Sequence, residues 1–205
     1  MVEGGYEVVR YADVMEVASE NIDFSLLLDK MINNFSSNGL NNDVENFLKQ
    51  KAQPFHAMDM ARTYLVFDKG FENICGYYSI APKSITIKQK DWEKISANAR
   101  KKLNPLGYRD TKNDQNIPAI LLGQLGKNFA SAHQIDGDKL IEFAFSTIYD
   151  IANQIGGRYL YLEADDNDHL SSFYTRNGFS FLSYNGGTVY KTKNDQVMFI
   201  KKMSA

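Results

Sequence analysis

The sequence of 205 residues has a single cysteine, Cys75, which excludes an internal disulfide, and three histidines, His56, His133 and His169, that lie far apart. No CxxC or HExxH spacing occurs, so a dedicated metal centre is not expected. No apolar run approaches the roughly 20 residues that a membrane-spanning helix needs. The opening "MVEGGYEVVRYADV" has neither the basic nor the apolar region of a secretory leader, so no membrane association and a cytoplasmic location are the expectations. Lys and Arg total 23 against 25 Asp and Glu, a net charge of −2, which excludes a surface wholly devoted to nucleic acid. There is no internal repeat and no low-complexity tract.

What is there suits one globular domain with a substantial core: 43% of the residues are hydrophobic and 23% are charged. Cys75 lies in the apolar run "ENICGYYSI" and reads as a buried hydrophobe. Charge is spread unevenly. From Lys83 to Lys112 there are nine basic residues (Lys83, Lys88, Lys90, Lys94, Arg100, Lys101, Lys102, Arg109, Lys112) and three acidic ones (Asp91, Glu93, Asp110), a local net of +6. Such a stretch is either the solvated face of an insertion or a landing site for a polyanion such as RNA.

The order of elements is mixed α/β. "YEVVRYA" reads as a strand. In "NIDFSLLLDKMINNF" the apolar residues Ile22, Leu26, Leu27 and Met31 recur as one helical face. Asn42 or Asp43 can cap a second helix, which Pro54 should kink or break. "RTYLVFD" and "ICGYYSIAPKSITI" form an antiparallel hairpin around "KGFEN". "QKDWEKISANARKKLN" is helical and "PLGYRDTKNDQN" a polar connection, so residues 88–116 read as an insertion between strands. "IPAILLGQLGK" is a strand buried on both faces, followed by a turn and a helix that carries Leu140, Ile141, Ala144, Phe145, Ile148 and Ile151 on one side and stops at Gly156. "RYLYLEA" is a strand; Asp165, Asp166 or Asn167 caps a short helix; "FSFLSY" and "QVMFIKKM" are the last strands.

Two segments can carry chemistry. In "LLGQLGKNFASAHQIDGDKLIEFAF" a buried strand ends in a loop and a glycine precedes a helix, which presents unpaired N–H groups and a positive helix end to a pyrophosphate. In "NDHLSSFYTRNGF" Tyr174 sits on an amphipathic helix, either packing or giving up a proton. Over about residues 60–182 the order strand, turn, helix, strand, short helix resembles the GNAT superfamily of acyl-CoA-dependent N-acyltransferases. That family's turn reads Gln or Arg, two residues, Gly, one residue, Gly or Ala, and the ungapped match sets these positions on Ala132, Ile135 and Gly137. Only the last glycine survives, so Ile135 must turn with a side chain attached and the loop is expected to be looser or differently shaped. A shifted match would use Gln134, Gly137 and Lys139, but it displaces the helix face that follows. The second segment matches at Asn167, Leu170, Phe173, Tyr174, Gly178 and Phe179.

The resemblance implies a GNAT fold, a mixed, mostly antiparallel central sheet flanked by helices, and an acetyl-CoA-dependent N-acetyltransferase acting on a primary amine. It implies that the backbone of Leu122, Gly123, Gln124, Leu125 and Gly126 lines the acetyl and pantetheine arm, with Gly123 and Gly126 leaving room for close approach. The turn Ala132, His133, Gln134, Ile135, Asp136, Gly137, Asp138 and Lys139 would hold the diphosphate, with Lys139 adding charge and Asp138 capping the helix. Asn167 and Phe173 would complete the cofactor site, and Tyr174 would be the general acid for the departing thiolate. The strand offers no carboxylate as base, which leaves water, Glu163, Asp165, or an acceptor whose amine has a low pKa. "FSSNGLNNDVENFLKQKA" with the following hairpin is similar to the branch containing toxins that acetylate aminoacyl-tRNA, although Ser37 and Asn38 stand where that branch has Cys-Gly. A tRNA partner would then use the basic 83–112 segment, and a homodimer is compatible with the sequence. The other class of reading is a GNAT-shaped binding module without activity.

Overall fold

The computed structural model describes residues 2–3 and 5–203. In chain order, β1 (Val2–Glu3) and β2 (Tyr6–Arg10) are followed by α1 (Tyr11–Glu20) and α2 (Ile22–Asn33), and Asn21 between the helices caps α2 by accepting from the Phe24 N–H. A helical stretch follows as α3 (Asn42–Asn46), a π-turn (Phe47–Lys51) and α4 (Ala52–Ala57). Its cap is Asn41, which accepts from the N–H groups of Asp43 and Val44, not the expected Asn42 or Asp43. Pro54 does not break this stretch. The Ala52 N–H reaches back to the Phe47 carbonyl, so the turn has already widened before the residue that cannot donate.

β3 (Arg62–Asp68) and β4 (Ile74–Pro82) pair as an antiparallel hairpin, but its second arm, expected to run through Ile87, ends at Pro82, and residues 85–87 belong to another sheet. Asp68 closes the turn by accepting from the Glu72 and Asn73 N–H groups. Then come β5 (Ile85–Ile87), α5 (Gln89–Trp92), α6 (Ala97–Leu103), β6 (Tyr108–Arg109) and β7 (Gln115–Ile117). The helix expected over 89–104 is therefore two short ones. It is interrupted where Ile95 bridges to Tyr184 and where Ser96 starts α6 as its cap. The expected polar connection contains β6 and β7, which pair with β5 as a three-stranded sheet; runs of two or three residues carry too little alternation to be read from sequence. The chain ends with β8 (Ile120–Lys127), α7 (Gly137–Ile155), β9 (Tyr159–Ala164), α8 (Asp168–Arg176), β10 (Ser180–Phe181) and β11 (Val197–Lys202).

The chain divides into two compact units. One holds the residues up to Ala81 with Leu122–Ile148. There the strands follow the order β1-β2-β3-β4-β8, antiparallel from β1 to β4. Its core packs Val14, Leu28, Phe35, Phe47, Leu48, Leu65 and Tyr77. In α2 the buried face is Leu28, Met31 and Ile32 with Phe24 against it, whereas Ile22, Leu26 and Leu27 of the expected stripe are exposed. On α7, Leu140, Ile141, Ala144 and Ile148 are buried as expected, together with Phe143, whereas Phe145 and Ile151 of the expected face are only half-buried; Gly156 follows its end at φ +79. Cys75 is fully buried.

The other unit, Pro82–Leu121 with the chain from Tyr149 onward, holds the three-stranded sheet and the order β9-β11-β10. Its core contains Ile85, Ile95, Ile117, Tyr161, Leu182, Met198 and Ile200. Among the described residues no helix is long and apolar enough to cross a membrane.

The glycine at 126 shows how tightly β8 is packed. A Cβ there would lie 2.5 Å from Val44 Cγ1 and 2.6 Å from Tyr77 Cε1, and the Tyr77 hydroxyl donates to the Val44 carbonyl at 2.6 Å. Gly126→Ala is expected to cost about 1–3 kcal/mol through overpacking. An unchanged urea midpoint would contradict that packing.

Candidate active site

Strand β8 joins β9 in a parallel ladder of two pairs, Ile120 with Leu160 and Leu121 with Tyr161. The ladder goes no further, while on its other edge β9 pairs with β11 along its whole length. Leu122, Gly123, Gln124, Leu125 and Gly126 thus continue beside β4 with their other backbone edge outside any ladder among the described residues. The close approach expected at Gly126 is made by the chain's own Val44 and Tyr77. Gln124 donates through Nε2 to Asp43 at 3.2 Å, which ties β8 to the first turn of α3.

The loop after β8 is ordered by two side-chain amides. Asn128 is buried; its N–H donates to the Cys75 carbonyl, its Nδ2 to the Ile74 carbonyl at 2.7 Å, and its Oδ1 accepts from the N–H groups of Ser36 and Ala130, both at 3.0 Å. Gln134 donates through Nε2 to the carbonyls of Ser131 (2.6 Å), Asn128 (3.2 Å) and Phe129 (3.3 Å). Ser131 adds a bond to the His133 carbonyl and accepts from the His133 N–H. Ile135 is fully buried, and no residue from 128 to 139 has a positive φ. The turn is not loosened by the missing glycine, because its path needs no left-handed residue.

At the start of α7 the cap is Asp136, not Asp138: its Oδ1 accepts from the Asp138 N–H at 2.7 Å and its carbonyl from the Leu140 N–H. Lys139 turns along the helix to Glu142 at 2.9 Å and lies over the Phe143 ring. His133 is 3.9 Å from Asp68. Burial would raise the Asp68 pKa, but the bonds from Asn73 and Glu72 outweigh it and hold the carboxyl below its ordinary value.

In the other unit, Asn167 caps α8 by accepting from the Leu170 N–H at 2.8 Å, which settles the three alternatives. Tyr174 is 9% exposed, with its ring against Phe173, Phe179 and Phe199 at centroid distances of 5.1, 5.8 and 5.1 Å. Burial pushes its phenol up to about 12. Glu163 pairs across the ladder with Met198, while Phe199 pairs with Leu162, so Glu163 and Tyr174 belong to opposite faces of this sheet. Asp165 is exposed and accepts from Gln196 at 3.4 Å.

No family model matches the sequence. Among solved structures the chain is similar to a tyrosine-to-phenylalanine mutant of the AtaT toxin bound to the C-terminus of the antitoxin AtaR and acetyl-CoA, at 17% identity over 97% of this chain and 94% of that one, with a TM-score of 0.59. It is also similar to AtaT complexed with acetyl-methionyl-tRNAfMet (17% identity, 95% and 93% of the two chains, TM-score 0.57). A third is the complex of KacTA with DNA (16%, 96% and 92%, TM-score 0.58). This is the GNAT fold. At such identities the likeness is one of architecture.

Within the GNAT fold of this chain, Asn128 and Ser131 are organising residues that sequence reading passed over. The polar, small-residue run "KNFASAHQ" directly after an apolar strand was the only sign of them. Asn128→Leu, similar in size, leaves the Ile74 carbonyl and the Ser36 and Ala130 N–H groups without their partner. A loss of about 2–3 kcal/mol is expected, with faster amide exchange across residues 128–136. Equal protection in the variant would show that the loop does not depend on this side chain.

Proposed function

We propose that the chain is an acetyl-CoA-dependent N-acetyltransferase, a single domain with 88–116 as an insertion, that passes the acetyl group directly to a primary amine. The observation that carries this reading is the end of the β8 ladder at Leu121, which leaves a strand edge of main-chain donors and acceptors leading into an ordered turn and a helix start. An extended amide-bearing arm is the ligand that suits such an edge. AtaT, of the same fold, has been solved with acetyl-CoA.

Acetyl-CoA, when bound, supplies an activated thioester. Leu122, Gly123, Gln124, Leu125 and Gly126 would hold its arm through their backbone, the turn from Ala132 to Lys139 its diphosphate, and Asn167 and Phe173 the α8 side. The residues fit this demand through N–H groups more than through charge, since Lys139 is shared with Glu142 and Asp136 already caps α7. In the transfer a C–N bond forms as the C–S bond breaks, the amine loses a proton, and the sulfur gains one. Tyr174 is the proposed donor. With the phenol near 12, full transfer to a thiolate of ordinary pKa is uphill by roughly 5 kcal/mol. Tyr174 therefore acts as a hydrogen-bond donor to the developing negative charge, with the proton passing late.

The finer reading is an aminoacyl-tRNA acceptor, a toxin-like activity. Lys90, Lys94, Lys101, Lys102, Arg109 and Lys112 are exposed, and AtaT has been solved with acetyl-methionyl-tRNAfMet. An α-amino group near pKa 7.7 also asks little of a base, which suits a sheet that keeps Glu163 away from the face of Tyr174. An inactive binding module is the remaining reading, and it predicts no affinity for acetyl-CoA.

Calorimetry with acetyl-CoA and transfer of labelled acetyl to aminoacyl-tRNA, α-amino peptides and polyamines test all three. Tyr174→Phe keeps the ring packing and is expected to lower kcat by about 100-fold or more, with acetyl-CoA affinity held within a few-fold. Because the neutral phenol persists up to about 12, the wild-type profile should rise as the acceptor ammonium is deprotonated and show no fall from Tyr174 up to about pH 10. Absence of acetyl-CoA binding would overturn the proposal.

A further inference from the structure

Helix α2 has two apolar faces, and only one is used by its unit. Leu28, Met31 and Ile32 are buried, whereas Ile22 and Leu26, one turn apart, are 73% and 63% exposed and Leu27 is 46% exposed. On α1, Val17, one turn before the Asn21 corner, is 53% exposed. Single exposed apolar residues are ordinary, but four within eleven consecutive residues are a concentration that folding of this unit does not explain.

The charges around them choose the occupant. Residues 16–33 carry four exposed carboxylates, Glu16, Glu20, Asp23 and Asp29, against one ammonium, Lys30. None of the four carboxylates is in an ion pair among the described residues. A second copy of the chain would meet this face through the same patch, acid against acid, because a two-fold interface is self-complementary. Anionic lipid and phosphate backbones are repelled for the same reason, and membrane-surface helices carry Lys and Arg on their polar face instead.

We propose that the α1–α2 face docks a basic amphipathic helix from a partner protein. Ile22 and Leu26, at i and i+4, accept apolar anchors of the same helical spacing, and the flanking carboxylates pair with Lys or Arg on the partner. The apolar contacts supply the affinity, while the charges set register and speed of encounter. This surface is independent of the transferase reading and stands or falls without it.

The test uses the full chain and two labelled synthetic peptides of roughly five helical turns that share one leucine stripe. One carries Lys on its polar face and the other Glu. The Lys peptide is expected to bind at least about tenfold tighter than its Glu twin. Leu26→Asn, and separately the double variant Glu20→Lys with Asp23→Lys, should each weaken it by about tenfold or more, and the charge-reversed variant should come to prefer the Glu peptide. These positions are exposed, so unfolding midpoints stay at the wild-type value and report that the fold is intact. Three outcomes overturn the proposal: equal binding of the Lys peptide to wild type and variants, a dimer in sedimentation that Leu26→Asn dissociates, or binding to phosphatidylcholine–phosphatidylglycerol vesicles that the same variant abolishes.

Discussion

A strand that leaves a sheet must find new partners for its backbone groups or keep them in water, and at the end of β8 one buried amide does most of that work. Asn128 bonds to residues 74 and 75 of β4, to Ser36 after α2, and to Ala130 in its own loop. Three segments distant in sequence are fixed to one another at the point where β8 stops. The loop can then be drawn tight by Gln134, which collects three carbonyls, and Ile135 can be buried as an anchor rather than turned as a glycine would be. The start of α7 is positioned by this sequence of bonds.

For the diphosphate proposed to lie at that helix start, the local electrostatics are unusual. Its cap is a carboxylate, Asp136, and its nearest cation, Lys139, is engaged by Glu142 and the face of Phe143. The favourable terms for a diphosphate are the helix dipole and the N–H groups, and the nearby carboxylate works against them. Tyr174 presents the complementary case in the other unit. Three aromatic rings pack around it, and the burial that raises its pKa keeps the phenol neutral across the ordinary pH range.

The elements that could be read from the sequence were those with enough length for periodicity to outweigh noise. The turn of the β3–β4 hairpin, α7 with its Gly156 stop, β9 and α8 fall where pattern and turn residues put them, whereas β8 starts at Ile120 and is not buried on both faces, with Gly123 exposed and Leu121, Gln124 and Leu125 half-buried. So does Cys75 in the core. Caps were legible only as a cluster: Asn41 for Asn42 or Asp43, and Asp136 for Asp138, because adjacent Asn and Asp side chains compete for one N–H and tertiary position decides between them. The small strand β5 exists through pairing with β7 across more than twenty residues of chain, which no local pattern records, and β6, which pairs with β7 close by, is too short a run for alternation to register. Asn38 shows the converse: at φ +56, followed by Gly39 at +73, it adopts the left-handed geometry that Gly favours, which Asn tolerates better than most residues.

Helix α2 marks the limit of such reading. Its sequence offers two overlapping apolar stripes, Ile22, Leu26, Leu27 and Met31 on one reckoning and Phe24, Leu28, Met31 and Ile32 on the other, and periodicity alone does not rank them. The second places its members within one narrow arc, with Phe24 and Leu28 at i and i+4 and Met31 and Ile32 a turn beyond, so all four reach the core together. The first spreads over a wider arc and cannot be buried with it in a single docking of the helix. Once the unit has folded on the tighter stripe, Ile22, Leu26 and Leu27 of the looser one are left exposed among carboxylates.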